Sequence, residues 1–241
     1  TGVQTCALPI LQILLYETAE ELGADFDFKR LENSENIFEL IQYGNHFFEK
    51  SEGDPNLIDK SRRFYEKSER IKHSPQALIA LYEIALITGE PFNAGQFLES
   101  KNAWELREYA DYFYEKTTDA YEESGDSKKL LNQATLLYEK AEKTEHSAET
   151  LIRLYEIAEV NRKSFDFQQF MAPTDTNELK YYMQYFLKKA EEKESHREKV
   201  HDSKVAAEIG EKWLLLHNTV ASKQSLADQY NSLAYYQLFI P

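Results

Sequence analysis

Six histidines are the first residues to weigh for chemistry: His46, His73, His146, His196, His201 and His217. An imidazole titrates near neutrality and can serve as base, acid or metal ligand. Two of them recur in the same setting, as His73-Ser74 and His146-Ser147. Each stands just before a serine placed to cap the next helix, so both read as helix-terminal, exposed histidines copied by duplication. His196 and His201 are five residues apart, which takes them off a common helical face and away from metal-ligand spacing. The chain holds 42 acidic residues, and no two of them stand out as a buried acid–base couple. Its eight glycines build no GxGxxG, no phosphate loop ending in GK[ST] and no GxSxG elbow. The expectation is a chain that is not an enzyme, with no catalytic residue, no cofactor and no metal site, and with its binding residues unassigned.

What remains is a chain built for helices. Of its 241 residues 42% are apolar and 13% aromatic, against only 8 Gly and 6 Pro, which favours long helices over a sandwich or barrel. Leu40, Tyr43, Phe47 and Phe48, and likewise Leu106, Tyr109, Phe113 and Tyr114, follow the three- and four-residue steps of one buried helical face. Asp54-Pro55 and Ser74-Pro75 put a capping side chain before a proline at the first helical position. Ser147 supplies a cap without the proline, and Asp175 with Glu178 fits a capping box. These signals predict helices over 11–22, 35–52, 55–71, 75–88, 102–123, 128–144, 148–162, 176–195, 200–217 and 223–239. Shorter helical turns are expected near 92–99 and 165–171. The run from Lys188 to Lys199 mixes both signs of charge and reads as a solvated helix end.

The segments repeat. From Tyr65 to Phe97, 16 of 33 positions recur unchanged 73 residues later, including Leu78-Ile79, Leu81-Tyr82-Glu83-Ile84-Ala85, Phe92 and Phe97. The register continues into Glu105-Leu106, Tyr109 and Phe113, which match Glu178-Leu179, Tyr182 and Phe186 at the same offset. They also match Glu39-Leu40, Tyr43 and Phe47 at an offset of 66, the difference falling near Tyr121 to Gly125. A partial copy is assigned to 11–33, full copies to about 34–100 and 101–173, and a divergent copy to 174–241. The repeated Tyr and Phe residues are expected to serve packing within and between copies, a minority of them facing a groove.

A double hairpin of 66–73 residues implies about 33–36 residues per hairpin, close to the ~34-residue tetratricopeptide period. Ala134, Tyr138 and Ala141 resemble the small–aromatic–small pattern of that family's second helix, and Ser61, Tyr65 and Ser68 repeat it with serines. Tyr230 to Tyr236, with Leu233-Ala234, is similar to the family's first helix. The resemblance implies an all-α, right-handed superhelical solenoid. The turns after Gly89 and Arg162 depart from it, leading into short Phe-bearing helices in place of a full second helix. Residues 1–10 resemble one reading frame of a sequencing adapter and are expected to lie outside the fold, and with them Cys6, the only cysteine.

Such a solenoid implies an interaction scaffold that binds a protein or peptide partner on its concave face. The alternative is the sensor or autoinhibitory repeat region of a larger signalling enzyme, caspase-like or NTPase. A net charge of −14 argues against nucleic acid as a partner, and no apolar run is long enough for membrane insertion. The array reads as cut at both ends, which predicts self-association through exposed terminal repeats.

Overall fold

The computed structural model describes residues 2–119 and 125–217, and four isolated positions beyond them at 224, 227, 228 and 231. All regular structure among the described residues is helical: α1 (Gly2–Leu22), α2 (Lys29–Glu32), α3 (Ile37–Glu49), α4 (Pro55–Ile71), α5 (Pro75–Thr88), a 3-10 segment (Ala94–Glu99), α6 (Ala103–Asp119), α7 (Gly125–Thr144), α8 (Ala148–Val160), α9 (Gln168–Met171), α10 (Thr176–Glu192) and α11 (His196–His217). None of these helices is long and apolar enough to cross a membrane. The helix expected over 223–239 and the segment 230–236 fall, apart from those four positions, outside the described residues. So does most of the insertion near 121–125.

The proline signals translate directly into helix starts. Asp54 accepts from the amide of Asn56 at the head of α4, and Pro55 and Pro75 open α4 and α5. Asp175 accepts from the amides of Asn177 and Glu178 at the head of α10. The two serines behave otherwise: neither Ser74 nor Ser147 caps through its side chain. Their own backbone N–H groups donate to glutamates of the preceding helix, Glu69 at 2.7 Å and Glu142 at 3.1 Å. Nor does Glu178 close a capping box, because its carboxylate is engaged elsewhere. The first helix starts at Gly2, so it runs through the segment expected to lie outside the fold and carries Pro9 within it.

The element order, a long helix, a short helical turn and two long helices, occurs three times. It is seen in α1–α4, in α5 with the 3-10 segment, α6 and α7, and in α8–α11. The first long helix of each copy ends on a left-handed residue, Gly23 (φ 60°), Gly89 (φ 72°) and Arg162 (φ 53°), at the offsets of 66 and 73. That reversal turns the chain into the short helix whose apolar residue enters the core: Leu31, Phe97 or Phe170, all fully buried.

The chain divides into two compact units, Thr1–Leu130 and Leu131–Pro241. In the first, α1 and α2 pack on α3, α3 on α4, α4 on α5, and α5 on α6. Its core joins Tyr16, Leu31, Leu40, Tyr43, Phe47 and Phe64, with a second cluster around Ile58, Tyr65, Ala77, Ala80 and Ile84. Helices α3 and α4 approach closely because Gly44 lies under the ring of Tyr65 and Ser61 donates to the Gly44 carbonyl at 2.8 Å. In the second unit α8, α9 and α11 pack on α10 around Tyr155, Phe170, Tyr182, Phe186, Ile209 and Trp213.

Candidate functional site

The two recurring histidines occupy matching clasps. His73 Nδ1 meets Glu69 at 2.7 Å, and its Nε2 meets the Tyr109 hydroxyl at 2.9 Å, with Glu105 at 3.7 Å. His146 Nδ1 meets Glu142, and its Nε2 meets Glu178 at 2.5 Å, to which Tyr182 also donates at 2.5 Å. All four positions obey the offset of 73: Glu69 and Glu142, His73 and His146, Glu105 and Glu178, Tyr109 and Tyr182. The imidazole thus ties the end of one helix to the first turn of a later one. Both rings are about half exposed. The flanking carboxylates outweigh the opposing effect of burial and hold His146 above the ordinary histidine range. The clasp thus recurs with all its partners, and in each copy it joins one helix to another. The same conclusion covers the aromatic nests. Tyr82 packs on Phe92, Phe97, Tyr112 and Phe113, and Tyr155 packs on Phe165, Phe170, Tyr185 and Phe186, position for position.

A third repeated feature lies beside those nests. The glutamate after each nest tyrosine, Glu17, Glu83 or Glu156, faces the helix that carries Lys50, Lys116 or Lys189. Lys50 binds Glu17, Lys116 binds Glu83 at 2.9 Å, and Lys189 binds Glu159 while Tyr185 donates to Glu156 at 3.1 Å. In the outer copies a further glutamate one turn on accepts the tyrosine hydroxyl: Tyr16 donates to Glu20, and Tyr155 to Glu159 at 2.8 Å.

The middle copy breaks this pattern. Leu86 stands where Glu20 and Glu159 stand in the other copies, and Ile87 follows it. Both are exposed, at 62% and 57%. They line an apolar groove of about 520 Å³ with Phe48, Tyr82, Tyr112 and Leu130, and the Glu83–Lys116 ion pair forms its polar wall. A leucine and an isoleucine thus stand open to water beside two tyrosines. The signal in the repeat is a mismatch: Leu86 replaces a hydrogen-bonding acid with an exposed apolar residue.

The remaining histidines stay apart. His46 takes the place of Tyr112 and Tyr185 in the first copy; burial pushes its imidazole down, and Glu17 lies 3.9 Å away. His201 is exposed, with its ring edge-on to Phe167 at 5.5 Å. The side chains of His196 and His217 are outside the described residues. Among the described residues no group of three or more His, Cys, Asp or Glu is arranged to hold a metal ion. One buried acid was not foreseen: Asp202 on α11, whose Oδ2 makes no hydrogen bond and whose carboxyl burial pushes up against the pull of Lys189. Comparison with family models, with curated proteins and with solved structures finds no match to this chain.

Proposed function

We propose that this chain is a non-catalytic interaction scaffold, a tetratricopeptide-like solenoid of three copies that binds a protein or peptide through its middle copy. The observation that carries the reading is Leu86, an exposed apolar side chain where both other copies place a glutamate bonded to a tyrosine. The two recurring histidines, His73 and His146, are each engaged at both nitrogens in the clasps. Repeat arrays reuse one packing scheme and vary the residues that face a partner, and the change from glutamate to an exposed Leu86 beside the recurring Tyr82 and Tyr112 supports that division here.

The test is selection of a random peptide display library on the full chain, followed by binding of the enriched peptides to Leu86→Glu. That variant restores the residue the other copies carry, so the fold should persist, with an unchanged melt by circular dichroism. Enriched peptides that lose the variant support the reading. No enrichment, or peptides that bind both proteins equally, would overturn it.

A further inference from the structure

The middle copy departs from its neighbours a second time, on the helix that supplies Tyr112 to the groove. Glu108, Asp111 and Glu115 fall one turn apart along α6, flanking Tyr112 on the same side of the helix. The matching positions are Gln42, Asn45 and Glu49 in the first copy, and Tyr181, Gln184 and Lys188 in the third. Three acids therefore accompany the exposed Leu86 and Ile87, and neither other copy has the set. Burial and then Asp111 and Glu115 push the Glu108 carboxyl above its ordinary range; Arg107 and Lys116 share the helix, and the three acids outnumber these two bases. The wider surface agrees. Residues 1–130 hold 25 acidic against 14 basic residues, a net of −11, whereas 131–241 hold 17 against 14, a net of −3. Most of the chain's charge thus lies in the unit that carries the groove.

We propose that the groove of Phe48, Tyr82, Leu86, Ile87 and Tyr112 docks a segment of another protein whose apolar side chains are flanked by lysine or arginine. The apolar residues enter beside Leu86 and Ile87, and the flanking cations lie along Glu108, Asp111 and Glu115. Burial of two aliphatic side chains supplies affinity, while the acidic edge selects the partner and speeds its encounter. This inference rests on the interaction reading above and adds the chemistry of the partner to it.

The experiment uses the full chain and two labelled helical peptides, one with a leucine face flanked by lysines, the other with glutamates in place of the lysines. Fluorescence anisotropy reads binding at low and at moderate salt. The lysine peptide should bind, weaken with salt, and bind at least about tenfold more weakly to Leu86→Gln/Ile87→Gln, a loss matching two aliphatic side chains. Glu108→Gln/Asp111→Asn/Glu115→Gln should also weaken it and flatten its salt dependence. The single variant Leu86→Gln, the milder change, guards against a double variant that fails to fold. Equal binding of the glutamate peptide at the same groove would overturn the basic-partner inference and leave the interaction reading standing. No binding of the lysine peptide, or binding indifferent to Leu86→Gln, would overturn the docking site itself.

Discussion

Replacing Gly44 by alanine tests the packing account where magnitudes oppose each other. In an ordinary helix interior this change stabilises by about 1 kcal/mol, because alanine loses less backbone freedom than glycine on folding. At Gly44 the added methyl would stand 2.6 Å from Cε1, 2.8 Å from Cζ and 2.9 Å from Cδ1 of Tyr65. The ring has little room to withdraw: Tyr65 is fully buried, and its hydroxyl donates to Asn45 Oδ1 at 2.7 Å. Pushing α3 from α4 instead would stretch the Ser61 bond to the Gly44 carbonyl. Overpacking of this kind costs about 1–3 kcal/mol, and a strained buried hydrogen bond adds up to about 1 kcal/mol. The net expectation is destabilisation by about 1–2 kcal/mol in spite of the better helix former. A double-mutant cycle with Tyr65→Leu, followed by urea unfolding, isolates the contact. With the ring removed, Gly44→Ala should turn stabilising. If Gly44→Ala stabilises the parent protein by its full propensity gain, or if the cycle is additive, the close approach of α3 and α4 is wrong.

Three further expectations follow from single residues. Arg162→Gly should raise stability by about 1 kcal/mol, since Arg162 holds a left-handed φ of 53° where the other copies use glycine; an unchanged thermal midpoint would count against that conformation. His146 has a folded pKa above the ordinary value, so its contribution is complete below pH ~6.5 and is lost as pH rises through the raised value. Glu178→Gln should lower the pKa of His146 read by NMR titration, and an unmoved titration would refute the clasp. Asp202 has its folded pKa raised, so folding favours its protonated form and stability falls as pH rises from below ~3.9. Asp202→Asn should therefore raise the thermal midpoint at pH 7 and lose most of that advantage at pH 3; a lower midpoint at pH 7 would show that the ionised carboxylate is stabilising.

How far the sequence carried these conclusions depended on the kind of signal. Helices α4 and α5 were read at their observed bounds, because Asp54-Pro55 and Ser74-Pro75 are local instructions that tertiary contacts had no reason to overrule. The short α2 leaves no signal in the sequence: four residues carry no periodicity, and Leu31 fills the core position of Phe97 and Phe170. Ser147 fits a cap by local spacing, yet its side chain makes no capping bond, and its amide donates to Glu142, whose other carboxylate oxygen meets His146. The clasp itself was half legible. His73, Glu105 and Tyr109 all recur at one offset, but recurrence alone does not say that they meet. The groove was the least legible part, since it depends on Leu86, where the copies differ, and on the exposure of that side chain, which only packing determines.

The central claim is that a partner binds where the middle copy departs from the others, at Leu86, in a groove whose recurring walls include Tyr82 and Tyr112. Methyl-resolved NMR during titration with the lysine-flanked leucine peptide tests it most directly. The account predicts that shifts concentrate on Leu86, Ile87 and Leu130, and spare the recurring core residues Leu40, Leu106 and Leu179. Shifts spread evenly over the core leucines, or centred on Val160 in the third copy, would contradict it.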